Sequence, residues 1–205
     1  KTVVNDVGGV EIELTESEAA YLNATNYIRP AKYRTVKAGK HTLNGAQALG
    51  YCRIRKYAKG IQPVTPNGQI DDYGRTWRQR NAITSIFSKV KKMPKSQWLK
   101  IAKDVLKQNV KTDLSNKQIF NYIKDVVMMG TTTIHQLQIP VNPYFSGGNV
   151  PGVGSCLSIQ KEYQADAINQ FVFKYDGKGG EFTYTPSSDV SGYVSSSTPS
   201  ASPAN

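Results

Sequence analysis

The strongest constraint in this sequence lies between Asp72 and Val90. Ile83, Ile86, Phe87 and Val90 recur at steps of three and four residues, which predicts a helix from about Asp72 to beyond Val90 with that stripe facing a core. Asp72, Arg75 and Gln79 continue the stripe backwards. A carboxylate, a guanidinium and an amide on an apolar face break binary patterning, and such breaks mark sites, because a buried charge without a partner is costly. Arg53 and Arg55 precede the helix, and residues two apart in an extended segment point to one side. Guanidinium forks match phosphate oxygens better than ammonium groups do, so the cluster reads as a phosphate or pyrophosphate clamp. The alternative is that Arg53 and Arg55 are solvated charges while Asp72 caps the helix and pairs with Arg75. Patterning alone leaves both readings open.

The wording around the cluster adds to this. Asn5-Asp6-Val7-Gly8-Gly9-Val10-Glu11-Ile12 comes first, then the segment from Ala38 to Leu49, then Tyr51-x-Arg53-x-Arg55, then Asp72-x-Gly74-Arg75-x-x-Arg78-Gln79. This succession resembles the second half of the LytR-CpsA-Psr domain, over about residues 3 to 175. The resemblance implies a membrane-anchored cell-envelope enzyme of Gram-positive bacteria, a phosphotransferase that moves a glycopolymer of teichoic acid or capsule type from an undecaprenyl-pyrophosphate carrier to peptidoglycan. A non-catalytic module that binds polyprenyl phosphate or wall polymer is the alternative. Carried over by position, Arg53 and Arg55 match the family's paired pyrophosphate-binding arginines, Arg75 the arginine of the following helix and Gln79 the glutamine one turn on. Asp72 matches the acidic residue that orients guanidinium groups or assists as a base, and Arg78 fits the wording but lies beside the stripe. The resemblance thus makes Arg53, Arg55, Arg75 and Asp72 the catalytic candidates.

Two departures bear on these expectations. The loop from Lys56 to Asp71 is longer than the family pattern, which leaves the register of Arg55 against Arg75 open. In the family an N-terminal half supplies metal-binding aspartates and a further arginine, and no segment here matches them. The expectation is therefore a C-terminal portion of the domain, with Mg2+ held by ligands from the other half, either on a second chain or absent.

Charge supports an anionic ligand. Of 205 residues, 26 are Lys or Arg and 15 are Asp or Glu, a net charge of +11. Between Glu18 and Asp71 no acidic residue occurs, whereas Arg29, Lys32, Arg34, Lys37, Lys40, Arg53, Arg55, Lys56 and Lys59 do. Such a field concentrates anions, or it is a solvated face that only keeps the chain soluble. Nucleic acid is not expected, because interleaved exposed aromatics and a recognisable binding motif are lacking. No run approaches the roughly 18 to 20 apolar residues of a membrane span, so the expected location, the extracellular face of the cytoplasmic membrane or the cell wall with a single-pass anchor on the parent protein, rests on the resemblance. Cys52 and Cys156 are either bonded, which would brace the clamp, or two buried free thiols.

The predicted fold class is α/β, a mixed central sheet flanked by helices. Residues 1–176 are expected to form the C-terminal portion of one catalytic domain, and 177–205 a Gly/Ser/Thr/Pro-rich tail, disordered from about 187. Within it, Val3 to Leu14 reads as a strand pair or a strand bent at Gly8-Gly9, and Thr15 and Glu18 have capping-box spacing. A short strand is expected near Tyr33 to Val36, and Asn44 caps a helix that delivers Arg53 and Arg55. Helices follow from Ser96 and from Leu114, the first with Trp98, Ile101, Ala102, Val105 and Leu106 on one face. Thr131 to Ile139 alternates as a strand containing His135, which reads as a satisfied or surface histidine rather than a ligand. Pro140 to Gly154 is a connection, Ser155 to Ile159 a strand, and Gln160 to Phe173 a closing helix with Tyr163, Ala167, Ile168 and Phe171 inward.

Overall fold

The computed structural model describes residues 1–94, 96–98, 101, 112–128, 133–178, 180 and 182–191. Where the sequence suggests one body over residues 1–176, the chain divides into two compact units, Lys1–Thr132 and Thr133–Asn205.

The first unit is built on a two-stranded antiparallel sheet and the helices around it. Helix α1 (Thr2–Asp6) leads through Gly8 and Gly9 into strand β1 (Val10–Leu14). The expected strand pair over Val3 to Leu14 is thus half helix. The glycines are the reason: both take positive φ, 76° and 89°, and reverse the chain between the two elements. Strand β1 buries Val10, Ile12 and Leu14 and exposes Glu11 and Glu13. It pairs with β2 (Gly39–Leu43) in the register Val10 to Leu43 and Leu14 to Gly39. The second strand therefore falls later than the Tyr33 to Val36 stretch, where a 3-10 turn, Ala31–Tyr33, occurs instead.

Both predicted caps form. Thr15 opens α2 (Glu16–Ala24), its hydroxyl accepting from Glu18 N while Glu18 Oε2 accepts from Thr15 N at 3.0 Å. Asn44 opens α3 (Gly45–Tyr51) in the same reciprocal way with Gln47. The cap fixes where α3 starts and hence where it ends, at the turn Cys52-Arg53. The core gathers Val10, Ile12, Leu14, Leu22, Ile28, Leu43, Tyr51 and Ile54, and Trp77, Ile86 and Val90 of the long helix that follows pack against it.

Helix α4 (Asp71–Lys91) has nearly the predicted span, but its buried stripe is turned by one residue. Gly74, Arg78 and Ala82 face inward, and Ile83 is 59% exposed. Gly74 and Ala82, eight residues apart on this face, are small; a Cβ on Gly74 would stand 2.9 Å from Gln69 O, so the helix lies close to its neighbours there rather than under Ile83. A helix over Asn116–Met128 follows as expected. Residues 96–98 are helical, whereas Ala102, Val105 and Leu106 of the helix predicted from Ser96 lie outside the described residues.

In the second unit, residues 133–138 form no strand, contrary to expectation. Instead the predicted connection supplies β3 (Phe145–Val150), which pairs antiparallel with β4 (Gly154–Ile159) around a tight turn. The helix Lys161–Asn169 buries Tyr163 and Ala167 as predicted and runs into a π-helical turn, Gln170–Lys174, but Ile168 is exposed. Tyr144 stacks on Tyr163 with centroids 3.9 Å apart. A short helix, Ser188–Ser191, stands where disorder is expected. It is held because Asp166 accepts from Ser187 N at 3.0 Å and from Tyr184 Oη at 2.9 Å. Residues 192–205 lie outside the described residues.

Candidate functional site

Asp72, in the first turn of α4, joins two arginines from separate pieces of backbone. Arg55 Nη2 donates to Asp72 Oδ2, and Arg75 Nη2 meets Asp72 Oδ1 at 2.5 Å. The three side chains are 39%, 37% and 46% exposed for Arg55, Arg75 and Asp72, so the group opens to solvent on one side. The Arg75 contact is ionic rather than a directed hydrogen bond. It leaves Asp72 Oδ1, together with Nε of Arg55 and Nε of Arg75, buried and without a hydrogen-bond partner among the described residues. Two N–H groups shielded from water and lacking an acceptor are unfavourable unless something supplies one, and an oxyanion seated between the forks would.

The other predicted residues separate into two classes. Gln79 is exposed and its Nε2 lies 3.4 Å from Cys52 O, a loose tie between α4 and the turn before Arg53. Arg53 is exposed, and its side chain makes no hydrogen bond or ion pair among the described residues. It does not join the Asp72 group. Its N–H closes a turn on Gly50 O, so residues 53 to 55 leave the end of α3 rather than continue an extended strand, and the shared side expected for Arg53 and Arg55 does not follow.

Arg78 is corrected outright. Its side chain is fully buried, with Nε donating to Glu18 Oε1 at 2.6 Å, Nη2 to Pro63 O at 3.2 Å and Nη1 lying 3.4 Å from Ile54 O. With its donors taken up inside the protein, Arg78 is not a pyrophosphate ligand. The Glu18–Arg78 pair was missed by sequence reasoning, although a signal exists: Gly74, Arg78 and Ala82 stand at four-residue intervals, and Glu18 is the acid of the capping box.

The loop between the arginines is held by the same elements. Thr15 Oγ1 donates to Val64 O at 2.8 Å, and Val64 N donates to Ser17 Oγ at 3.0 Å. Thr65 hydrogen-bonds Gln69 through backbone and hydroxyl, closing the turn before α4. Asp71 then takes a left-handed backbone, φ 49°, which sends the chain into the helix with Asp72 in its first turn.

Cys52, in the first unit, and Cys156, in the second, are both free. Burial pushes the Cys52 thiol up to about 11. A thiol so protonated at neutral pH is a poor nucleophile. Among the described residues no three His, Cys, Asp or Glu side chains gather as a metal site, and the one carboxylate of the cluster is occupied by two guanidinium groups. These residues by themselves do not fit Mg2+.

The sequence profile of the LytR_cpsA_psr family matches residues 1–170. The regulatory protein MsrR of Staphylococcus aureus is 27% identical over 144 residues, covering 67% of this chain and 39% of MsrR. The polyisoprenyl-teichoic acid–peptidoglycan teichoic acid transferase TagU of Enterococcus faecalis is 35% identical over 117 residues, 56% of this chain and 31% of that protein. The chain thus spans well under half the length of these relatives. A Streptococcus agalactiae protein of known crystal structure superposes with a TM-score of 0.56 at 25% identity, over 82% of this chain and 51% of its own. The α/β class expected from sequence is borne out by that likeness, with two small antiparallel sheets among the described residues where a mixed central sheet is expected, and the chain belongs to the LytR-CpsA-Psr family.

Proposed function

We propose that this chain carries the diphosphate-binding arginines of a phosphotransferase that moves an anionic glycopolymer from a polyprenyl-pyrophosphate carrier to peptidoglycan. The observation that supports this most is the pair of unpartnered Nε–H groups on Arg55 and Arg75, held on either side of Asp72. The name of the Enterococcus faecalis TagU supplies the class of donor and acceptor. In this reading an acceptor hydroxyl attacks the phosphorus that bears the glycopolymer, a new P–O bond forms, the bond to the bridging oxygen breaks with polyprenyl phosphate leaving, and the hydroxyl proton passes to the departing phosphate or to water. Negative charge grows on the bridging and equatorial oxygens as that bond lengthens, and fixed guanidinium forks are worth most where charge develops.

Asp72 serves as the orienter of Arg55 and Arg75, since both of its oxygens face guanidinium groups. The same observation on Asp72 favours a second reading, a module that binds the pyrophosphate carrier without a base of its own. Relatives of this family being envelope proteins, we place the parent protein at the cell envelope. Among the described residues no helix is long and apolar enough to cross a membrane, so the anchor is not assigned to any of them.

Transfer from a polyprenyl-diphosphate-linked saccharide to peptidoglycan fragments, measured for the wild type and for Arg75→Ala, tests the reading. Abolished transfer with the fold retained is expected. Wild-type transfer by Arg75→Ala overturns it, and tight diphosphate binding with no transfer by the wild type favours the second reading.

A further inference from the structure

Ile54 and Pro63 flank the loop that carries Arg55, and both of their carbonyls are within reach of one guanidinium, that of Arg78. That guanidinium is in turn fixed by Glu18, whose second oxygen caps α2. Ile54 sits between Arg53 and Arg55 in sequence and is fully buried. Arg78 lies three residues, just under one turn, beyond Arg75 on α4. The pair therefore couples three elements: the N-terminus of α2, both ends of the arginine loop, and the helix that presents Asp72 and Arg75. Gly74 completes the fit, since a Cβ there would stand 3.0 Å from Arg78 Nη1 and 2.9 Å from Gln69 O. No smaller or more flexible cation reproduces this, because a lysine has no planar fork to meet Glu18 and Pro63 O at once.

We propose that Glu18 and Arg78 are positioning residues of the diphosphate site: they set the distance between Arg55 and Arg75 despite the sixteen-residue span from Lys56 to Asp71. The inference rests on the function proposed above. Buried ion pairs are poor at adding net stability compared with apolar side chains of like volume, so a specific geometric duty is the more economical account of one fully buried here. A clamp of fixed width distinguishes a diphosphate from a monophosphate, whereas loosely tethered arginines attract both.

The test is the ratio of affinities for a short-chain polyprenyl diphosphate and the matching monophosphate, measured by calorimetry. It is made on the wild type, Arg78→Lys and the double variant Glu18→Gln/Arg78→Met, with folding verified by circular dichroism. The expected result is a roughly tenfold loss of diphosphate affinity in the folded variants with monophosphate affinity unchanged, a factor typical of one lost positioned contact. A wild-type ratio in either folded variant overturns the proposal, because a purely structural role leaves selectivity intact. Should neither variant fold, Ser17→Ala, which loosens the loop at Val64 without touching the pair, must reduce the same ratio or the proposal falls. Arg55→Ala and Arg75→Ala serve as controls. If both bind diphosphate as the wild type does, it is the clamp that fails; if they lose binding while Arg78→Lys retains the wild-type ratio, only the positioning role fails.

Discussion

Replacing Arg78 by Met should be among the most damaging single substitutions in the first unit. The methionine fills much of the volume but leaves the Glu18 carboxylate, itself fully buried, facing an apolar side chain, and it removes the donor to Pro63 O. Breaking one side of a buried ion pair costs about 3–5 kcal/mol, a large part of the 5–15 kcal/mol that stabilises a typical domain. With a urea dependence of about 2 kcal/mol per molar, the unfolding midpoint should fall by about 2 M. Both tryptophans lie in the first unit, and Trp77 packs against its core beside Arg78, so fluorescence reports this transition. Glu18→Gln alone strands the guanidinium and should cost a similar amount. The double variant strands neither charge, and its loss should be smaller than the sum of the singles by at least about 2 kcal/mol, within the range of coupling between contacting groups. A double variant as unstable as that sum would show that the two side chains act independently, and the reasoning from the buried pair would be refuted.

Gly74→Ala gains about 1 kcal/mol of helix propensity and loses about 1–3 kcal/mol to overpacking against the Gln69 carbonyl; net destabilisation in urea is expected, since that neighbour is backbone. Although desolvation pushes Asp166 up, hydrogen bonds from Ser187, Tyr184 and Gln170 more than offset it and hold the carboxyl below its usual range. A carboxyl lowered on folding contributes stability that is present above its ordinary pKa, about 4, and lost as pH falls through the folded value. Exchange protection at the Ser187 amide, corrected for the intrinsic rate, should therefore decline in that acidic window and be low at all pH in Asp166→Asn. Cys52 should alkylate slowly at neutral pH and faster as pH rises toward about 11.

The sequence carried the helix from Asp72 and the caps at Thr15 and Asn44, because each is written in local spacing, whereas the register of Arg55 against Arg75 across the Lys56 to Asp71 loop is open in the sequence and is set by their shared partner Asp72. What it did not carry depends on which side of a helix packs. On periodicity alone Ile83 and Arg78 stand about 140° apart around the helix, and an isoleucine is the natural choice for the inside. The protein instead turns Gly74 and Ala82 inward, because small residues allow close approach, and the arginine between them finds Glu18, sixty residues away, as its partner. Such a long-range pairing leaves no periodic trace. The hairpin of β3 and β4 was hidden for another reason: its glycines at 147 and 148 read as a linker, yet glycine tolerates a strand when the partner strand supplies Cys156 and Leu157 opposite.

The central claim, that Arg55 and Arg75 hold a diphosphate between them, is tested most directly by the Nε–Hε resonances of the arginines in a nitrogen-15 correlation spectrum. On titration with a short-chain polyprenyl diphosphate, the Nε–Hε signals of Arg55 and Arg75 should move as their unpartnered donors find an acceptor, while that of Arg78, already bonded to Glu18, stays in place. Saturable binding with the Arg55 and Arg75 signals unmoved would contradict the account.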